Sequence, residues 1–197
     1  MRNWLLSVLA FALLSTTLSA EPRDDLGVNT GVAMVSAYSA AYKPLKATYP
    51  SLELQYNYML SGRWAITGRY LYALSGTFSG YSGGIMFSSR PSYEEGGELT
   101  NSGLREVRVT PKWLFRGAAL AGAWSLLGTF DLAQPRLGEK PRAPVSASLY
   151  GFAMSGEVLR FVTENAALSL SISDVSALAA NFNVNVLCLL FGANYYY

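Results

Sequence analysis

Residues 51–74 read SLELQYNYMLSGRWAITGRYLYAL, and their spacing decides the fold. Leu52, Leu54, Tyr56, Tyr58 and Leu60 alternate with Ser51, Glu53, Gln55, Asn57 and Met59. After Ser61-Gly62-Arg63 the alternation resumes. Trp64, Ile66, Gly68, Tyr70, Tyr72 and Leu74 take one parity; Ala65, Thr67, Arg69, Leu71 and Ala73 take the other. Side chains of a strand point alternately to its two faces. Two alternating runs joined by a glycine-containing turn therefore read as a hairpin. Helical spacing fits neither run.

The same period recurs on both sides of this stretch. Val107, Val109, Trp113 and Phe115 alternate with Glu106, Arg108, Thr110, Lys112 and Leu114. Tyr150, Phe152, Met154 and Val158 alternate with Leu149, Ala153, Ser155 and Glu157. Leu168, Leu170 and Ile172 alternate with Ser169, Ser171 and Ser173. The pattern predicts eight strands, over 27–39, 51–61, 64–75, 104–116, 118–132, 146–162, 166–178 and 182–197. Short connections fall near 62–63, 117 and 163–165, longer ones near 40–50, 76–103 and 133–145, and a brief one near 179–181. Short turns at one end and longer loops at the other are the pattern of a transmembrane barrel. An even strand count leaves both termini at the periplasmic end.

Composition points the same way. Of the 197 residues, 51% are hydrophobic and only 14% are charged, against about 25% charged in ordinary soluble domains. The net charge of +2 does not suggest a nucleic-acid binder. At the N-terminus, Arg2 precedes the uncharged run Trp4 to Leu14 and the small polar stretch Ser15 to Ala20. This is the pattern of a cleaved secretory signal over residues 1–20, leaving one domain over 21–197. The run is too short for a membrane helix, which needs about 17–25 residues. The uncharged stretch Val175 to Tyr197 carries Asn181, Asn183, Asn185 and Asn194, which a helix would drag into hydrocarbon. A closed barrel is the remaining way for such a chain to span a membrane.

On these patterns the whole mature chain resembles the small eight-stranded outer-membrane β-barrels of the OmpA and OmpX type. The sharpest point of likeness is the C-terminus: Leu187, Leu189, Phe191, Ala193, Tyr195 and Tyr197 alternate and end on an aromatic residue. This is similar to the family's insertion signal, with Tyr197 in place of its preferred Phe. The resemblance implies an all-β, up-and-down antiparallel barrel in the outer membrane of a Gram-negative bacterium. It implies outer-membrane lipid and lipopolysaccharide as surroundings and the barrel-assembly machinery as a partner during insertion. No cofactor is implied. In the last strand Asn183 and Asn185 share the parity of the lipid-facing set. Either the strand projects beyond the bilayer before Leu187 or a bulge resets its register; projection is preferred.

An eight-stranded barrel is just wide enough to be filled by its own side chains. The inward parity predicts Glu53, Arg69, Glu106, Arg108, Lys112, Asp131 and Glu157 in the lumen. Facing lipid, an Arg or Lys would cost about 2–4 kcal/mol at the midplane; inside, the charges can pair. A plugging ion-pair network is expected, with a selectivity-setting constriction as the alternative.

Catalysis finds little support. With no His, neither a Ser-His-acid site nor an Asp-His protease site can be built. Nothing marks one Ser as a nucleophile beside Lys112. Cys188 reads as a small buried hydrophobe. Glu94, Glu95 and Glu98 lack calcium-loop spacing. The expectation is a non-enzymatic barrel acting in envelope structure or surface interaction through its loops. A small OmpW-like transport barrel is the first alternative, and a soluble periplasmic ligand-binding barrel the second. Lys43, Lys46, Arg136, Lys140 and Arg142 are candidates for lipopolysaccharide phosphate contact. Arg63, Arg116 and Arg160 fall near turns or strand ends, where headgroup contact is expected. The small residues Gly117, Ala118, Ala119, Ala121, Gly122 and Ala123 form a smooth patch that permits homo-oligomerisation.

Overall fold

The computed structural model describes residues 24–60, 63–89, 92–99, 105–135, 141–163 and 165–197. The signal segment lies outside them. The strands are β1 (Asp24–Tyr38), β2 (Leu45–Met59), β3 (Trp64–Ala73), β4 (Phe78–Ser88), β5 (Ser92–Leu99), β6 (Arg105–Asp131), β7 (Arg142–Thr163), β8 (Ala166–Ala179) and β9 (Phe182–Tyr196). All pairings are antiparallel. β1 to β4 and β6 to β9 close into an eight-stranded ring, because β4 pairs with β6 and β1 with β9. β5 stays outside the ring and, among the described residues, pairs only with the first part of β6. No described helix is long and apolar enough to cross a membrane.

The strand registers set the tilt. Following paired residues from Tyr150 through Ala123, Tyr81, Tyr70, Leu54, Val28, Ala193 and Leu168 returns to β7 at Arg160. The path has moved from 150 to 160, a stagger of 10 residues. With eight strands this stagger tilts them about 40° from the barrel axis, and each residue rises about 2.5 Å.

At that rise the outer wall resolves into levels. Trp64, Phe87, Phe115, Tyr58 and Tyr195 form an exposed aromatic ring near the end that holds the termini. Trp64 and Phe87 meet edge to face at 5.1 Å. About 25 Å higher the wall turns polar at Thr48, Ser79, Ser125, Ser176 and Asn185. The apolar belt between the two levels, with residues such as Leu54, Ile66, Ile85, Phe152, Leu170 and Phe191 exposed on it, has the height and aromatic border of a lipid-facing wall. Asp174 is an outward charge just below its upper edge.

The last strand shows why Asn183 and Asn185 break the apolar parity. β9 pairs with both β8 and β1 without a register shift, so no bulge is present. Both residues face outward above the belt, where Ser176 donates a hydrogen bond to Asn185 at 2.9 Å. The strand projects.

Between residues 76 and 132 the structure departs from the sequence reading. Residues 74–77 form a tight turn in which Gly76 takes φ +72°, a conformation that favours glycine. Phe78–Ser88 is a ring strand rather than the start of a long outer loop. Gly117 is not a turn: β6 runs straight through it for 27 residues. The β5–β6 hairpin leaves the ring at the end that holds the termini, opposite the end where a long loop was expected. At the other end the longest connection in sequence runs from β6 to β7.

Candidate functional site: the filled lumen and its strap

Inward positions of the ring fill its centre, and they divide by height. The half nearer the termini holds the charges, with a small buried cluster of Leu114, Leu159 and Ala167 beside Tyr196 at its end. Arg116 on β6 donates to both carboxylate oxygens of Asp25 on β1, at 3.1 and 2.8 Å, and to the hydroxyl oxygen of Tyr196 on β9 at 2.7 Å. Its guanidinium also lies 3.6 Å from Glu157 on β7. Asn57 donates to Asp25 at 2.9 Å, and Asn194 and Gln55 donate to Glu157 at 3.0 and 3.4 Å. Higher up, Asn29 donates to Glu53 at 3.1 Å and accepts from Ser169 at 2.8 Å. Arg69 lies 3.8 Å from Glu53, a charge pair without a hydrogen bond; its Nε and Nη1 have no hydrogen-bond partner. Seven of the eight ring strands contribute to this network, all but β4. A bidentate guanidinium–carboxylate pair is among the stronger geometries available to buried charge.

The other half of the lumen is apolar. Val35, Phe78, Leu126, Leu149, Val184 and Val186 are closed off from water, and Phe78 stacks on Trp124 at 6.5 Å. Cys188 is buried among these groups as the expected small hydrophobe.

Above the apolar half a strap crosses the mouth. β1–β2 and β6–β7 stand on opposite sides of the ring. Their connections meet through Lys43 N–H to Asp131 O at 2.8 Å and Ala133 N–H to Ala41 O at 3.0 Å. Tyr42 and Leu132 form the bridge between them. Beneath it, Tyr42 stacks on Phe182 at 5.5 Å and meets Phe130 edge-on at 6.0 Å. Beside the strap lies an open hollow of about 670 Å³ lined by Tyr38, Ala41, Leu178, Asn181, Phe182 and Asn183 among others.

The expected lumen residues divide accordingly. Glu53, Arg69 and Glu157 are in the network. Asp131 is not: it sits at the rim, partly exposed, paired with Arg142 at 2.7 Å. Glu106, Arg108 and Lys112 belong to the part of β6 that pairs with β5 outside the ring, so they do not join the lumen strands; their side chains lie outside the described residues. Sequence reasoning missed Asp25 and Arg116, the centre of the network. Arg116 shares the inward parity of Leu114, and only the false turn at Gly117 hid it.

Of the candidate phosphate contacts, Lys43, Lys46 and Arg142 are exposed at the strapped end, while Arg136 and Lys140 lie outside the described residues. Arg160 is exposed at the aromatic ring, 5.4 Å over Trp113. Leu189, Phe191, Tyr195 and Tyr197 all face outward on or just after β9. Among the described residues no group of acidic, His or Cys side chains could hold a metal.

No protein family matches the chain, and no curated protein matches it in sequence. Its fold is that of the small outer-membrane β-barrels. Neisserial surface protein A is 16% identical, with 87% of this chain and 97% of that one aligned and a TM-score of 0.51. OprG of Pseudomonas aeruginosa is 13% identical over 90% of this chain and 97% of its own, with a TM-score of 0.47. Ail, the attachment invasion locus protein of Yersinia pestis, is 14% identical over 89% and 99%, with a TM-score of 0.43.

Proposed function

We propose that this protein is a sealed, non-enzymatic barrel of the Gram-negative outer membrane that serves envelope structure and surface interaction through its ends. One observation carries the reading: the lumen is filled along its length. A charge-paired plug occupies one half, packed apolar side chains the other, and the strap crosses the mouth. A solute would have to separate buried charges and unpack a core. Function then falls to the surfaces. The strapped end offers the hollow beside Phe182 and the exposed cations Lys43, Lys46 and Arg142, which suit lipopolysaccharide phosphates. The reading is non-catalytic because the chain has no His and no marked nucleophile.

Planar-bilayer recording of the refolded protein tests it. Silent membranes are expected under conditions in which gel mobility confirms a folded barrel. Reproducible conductance steps would favour the transport reading instead.

A further inference from the structure

The hollow beside the strap is built from fixed parts. Its volume of about 670 Å³ falls within the roughly 300–1,000 Å³ of small-molecule sites. One wall is the segment from Tyr38 to Ala41, the other the β8–β9 turn from Leu178 to Asn183. The carbonyl of Ala41 accepts from Ala133 N–H at 3.0 Å in the strap, while the Ala41 N–H donates to the Ser39 hydroxyl at 3.3 Å. Across the other wall Ala179 pairs with Phe182, and the Phe182 ring is held by Tyr42 at 5.5 Å and Phe130 at 5.9 Å. A site with held walls loses little freedom when it is filled.

Strand register composes its surface. Asn183 pairs with Tyr38 on one side and with Leu178 on the other. All three are exposed on the outer face, so a phenol, a carboxamide and an isobutyl group stand in one row. Asn183 lies two residues beyond Asn185 and Leu178 two beyond Ser176, which places the row about 5 Å above the polar edge of the belt. Asn185 is already bonded to Ser176. The carboxamides of Asn181 and Asn183 have no partner among the described residues. Among the described residues no charged side chain lines the hollow; Lys43 and Lys46 lie outside its lining.

This lining selects among ligands. A phosphate or carboxylate calls for cations, and the lining offers none. An acyl chain calls for unbroken apolar surface, which lies lower, on the belt. A polypeptide that adds a strand needs a free sheet edge, and β1, β8 and β9 are each paired on both sides. A sugar ring carries an apolar C–H face and a rim of hydroxyls. Tyr38 and Leu178 suit the face, and a carboxamide both donates and accepts, as a hydroxyl rim demands. The geometry points to a neutral saccharide as the ligand of this hollow. The inference rests on the strapped end being an interaction surface and names what that surface takes. The ring belongs either to the core sugars of lipopolysaccharide in the same leaflet or to a glycan of another cell.

Saturation-transfer NMR and calorimetric titration of the folded barrel in micelles test it. The probes are deacylated, dephosphorylated core oligosaccharide, neutral oligosaccharides of animal cell surfaces, and a free fatty acid. The variants are Tyr38→Ala, Asn183→Ala and the double change Lys43→Gln with Lys46→Gln. Saccharide binding is expected to be indifferent to salt. Each hollow variant should weaken it about fivefold or more, the scale of one lost hydrogen bond, and the lysine variant should leave it unchanged. Tyr38 and Asn183 lie on different strands, so the reading stands on whichever variant keeps heat-modifiable mobility. Binding of either saccharide upholds the proposal, and the better-bound one assigns the source. No saccharide binding, binding of fatty acid in its place, or an affinity that follows the lysines and ignores the hollow overturns it. The sealed lumen is decided separately, by the conductance recording.

Discussion

The two halves of the lumen fill the same volume by opposite means. Near the termini, three carboxylates and two guanidiniums are held by ion pairs and hydrogen bonds in two neighbouring groups, one around Arg116 and one around Glu53. Toward the strap, aliphatic and aromatic side chains pack without a charge. The polar half is specific but brittle, because each ion depends on partners contributed by different strands. The apolar half tolerates imperfect neighbours but loses stability with every missing methylene. A barrel built from both is closed by geometry at one end and by packing at the other.

Arg116→Met should break the contrast most severely. It leaves Asp25 and Glu157 buried without their guanidinium, and breaking a buried pair costs about 3–5 kcal/mol. Urea unfolding from lipid vesicles should register a loss of that size. A loss below about 1 kcal/mol would mean that the charges do not hold the barrel. Leu149→Ala comes next. Leu149 is fully enclosed, and its truncation should cost about 3 kcal/mol through lost burial and the cavity left behind. The sharper comparison is salt. The Leu149→Ala loss should be unchanged by added salt, because no charge is altered.

The division between halves could be read only in part from the sequence. Alternation placed β2, β3, β7, β8 and β9 and the inward side of each, including Glu53, Arg69 and Glu157. It failed where glycine has two meanings. Gly80, Gly83 and Gly84 resemble loop punctuation, yet two of them lie inside β4 because the lumen crowds them and one because the outer wall is bare. Gly117 looked like a turn and is an ordinary ladder position opposite Gly156. One strand, β6, was thus read as two, β4 and β5 were read as loop, and Arg116 was assigned to a rim. Period-two patterning also says which face a residue takes but not its height. The separation of Val35, Leu149 and Val184 from Asp25 and Glu157 therefore has no sequence signature of its own.

The smallest expected effect lies at the strap and marks the limit of the contrast. Asp131 and Arg142 form a close pair at 2.7 Å, but their side chains are 45% and 70% exposed. Water screens such a pair, so Asp131→Asn should cost less than about 1 kcal/mol, and the loss should shrink further in high salt. The strap itself rests on the backbone bonds of Lys43 and Ala133, which the substitution leaves in place. Nearly unchanged unfolding midpoints are therefore expected, in contrast to Arg116→Met. A loss as large as that of Arg116 would move Asp131 from the rim into the structural network. It would also make the mouth, rather than the plug, the weak point of the barrel.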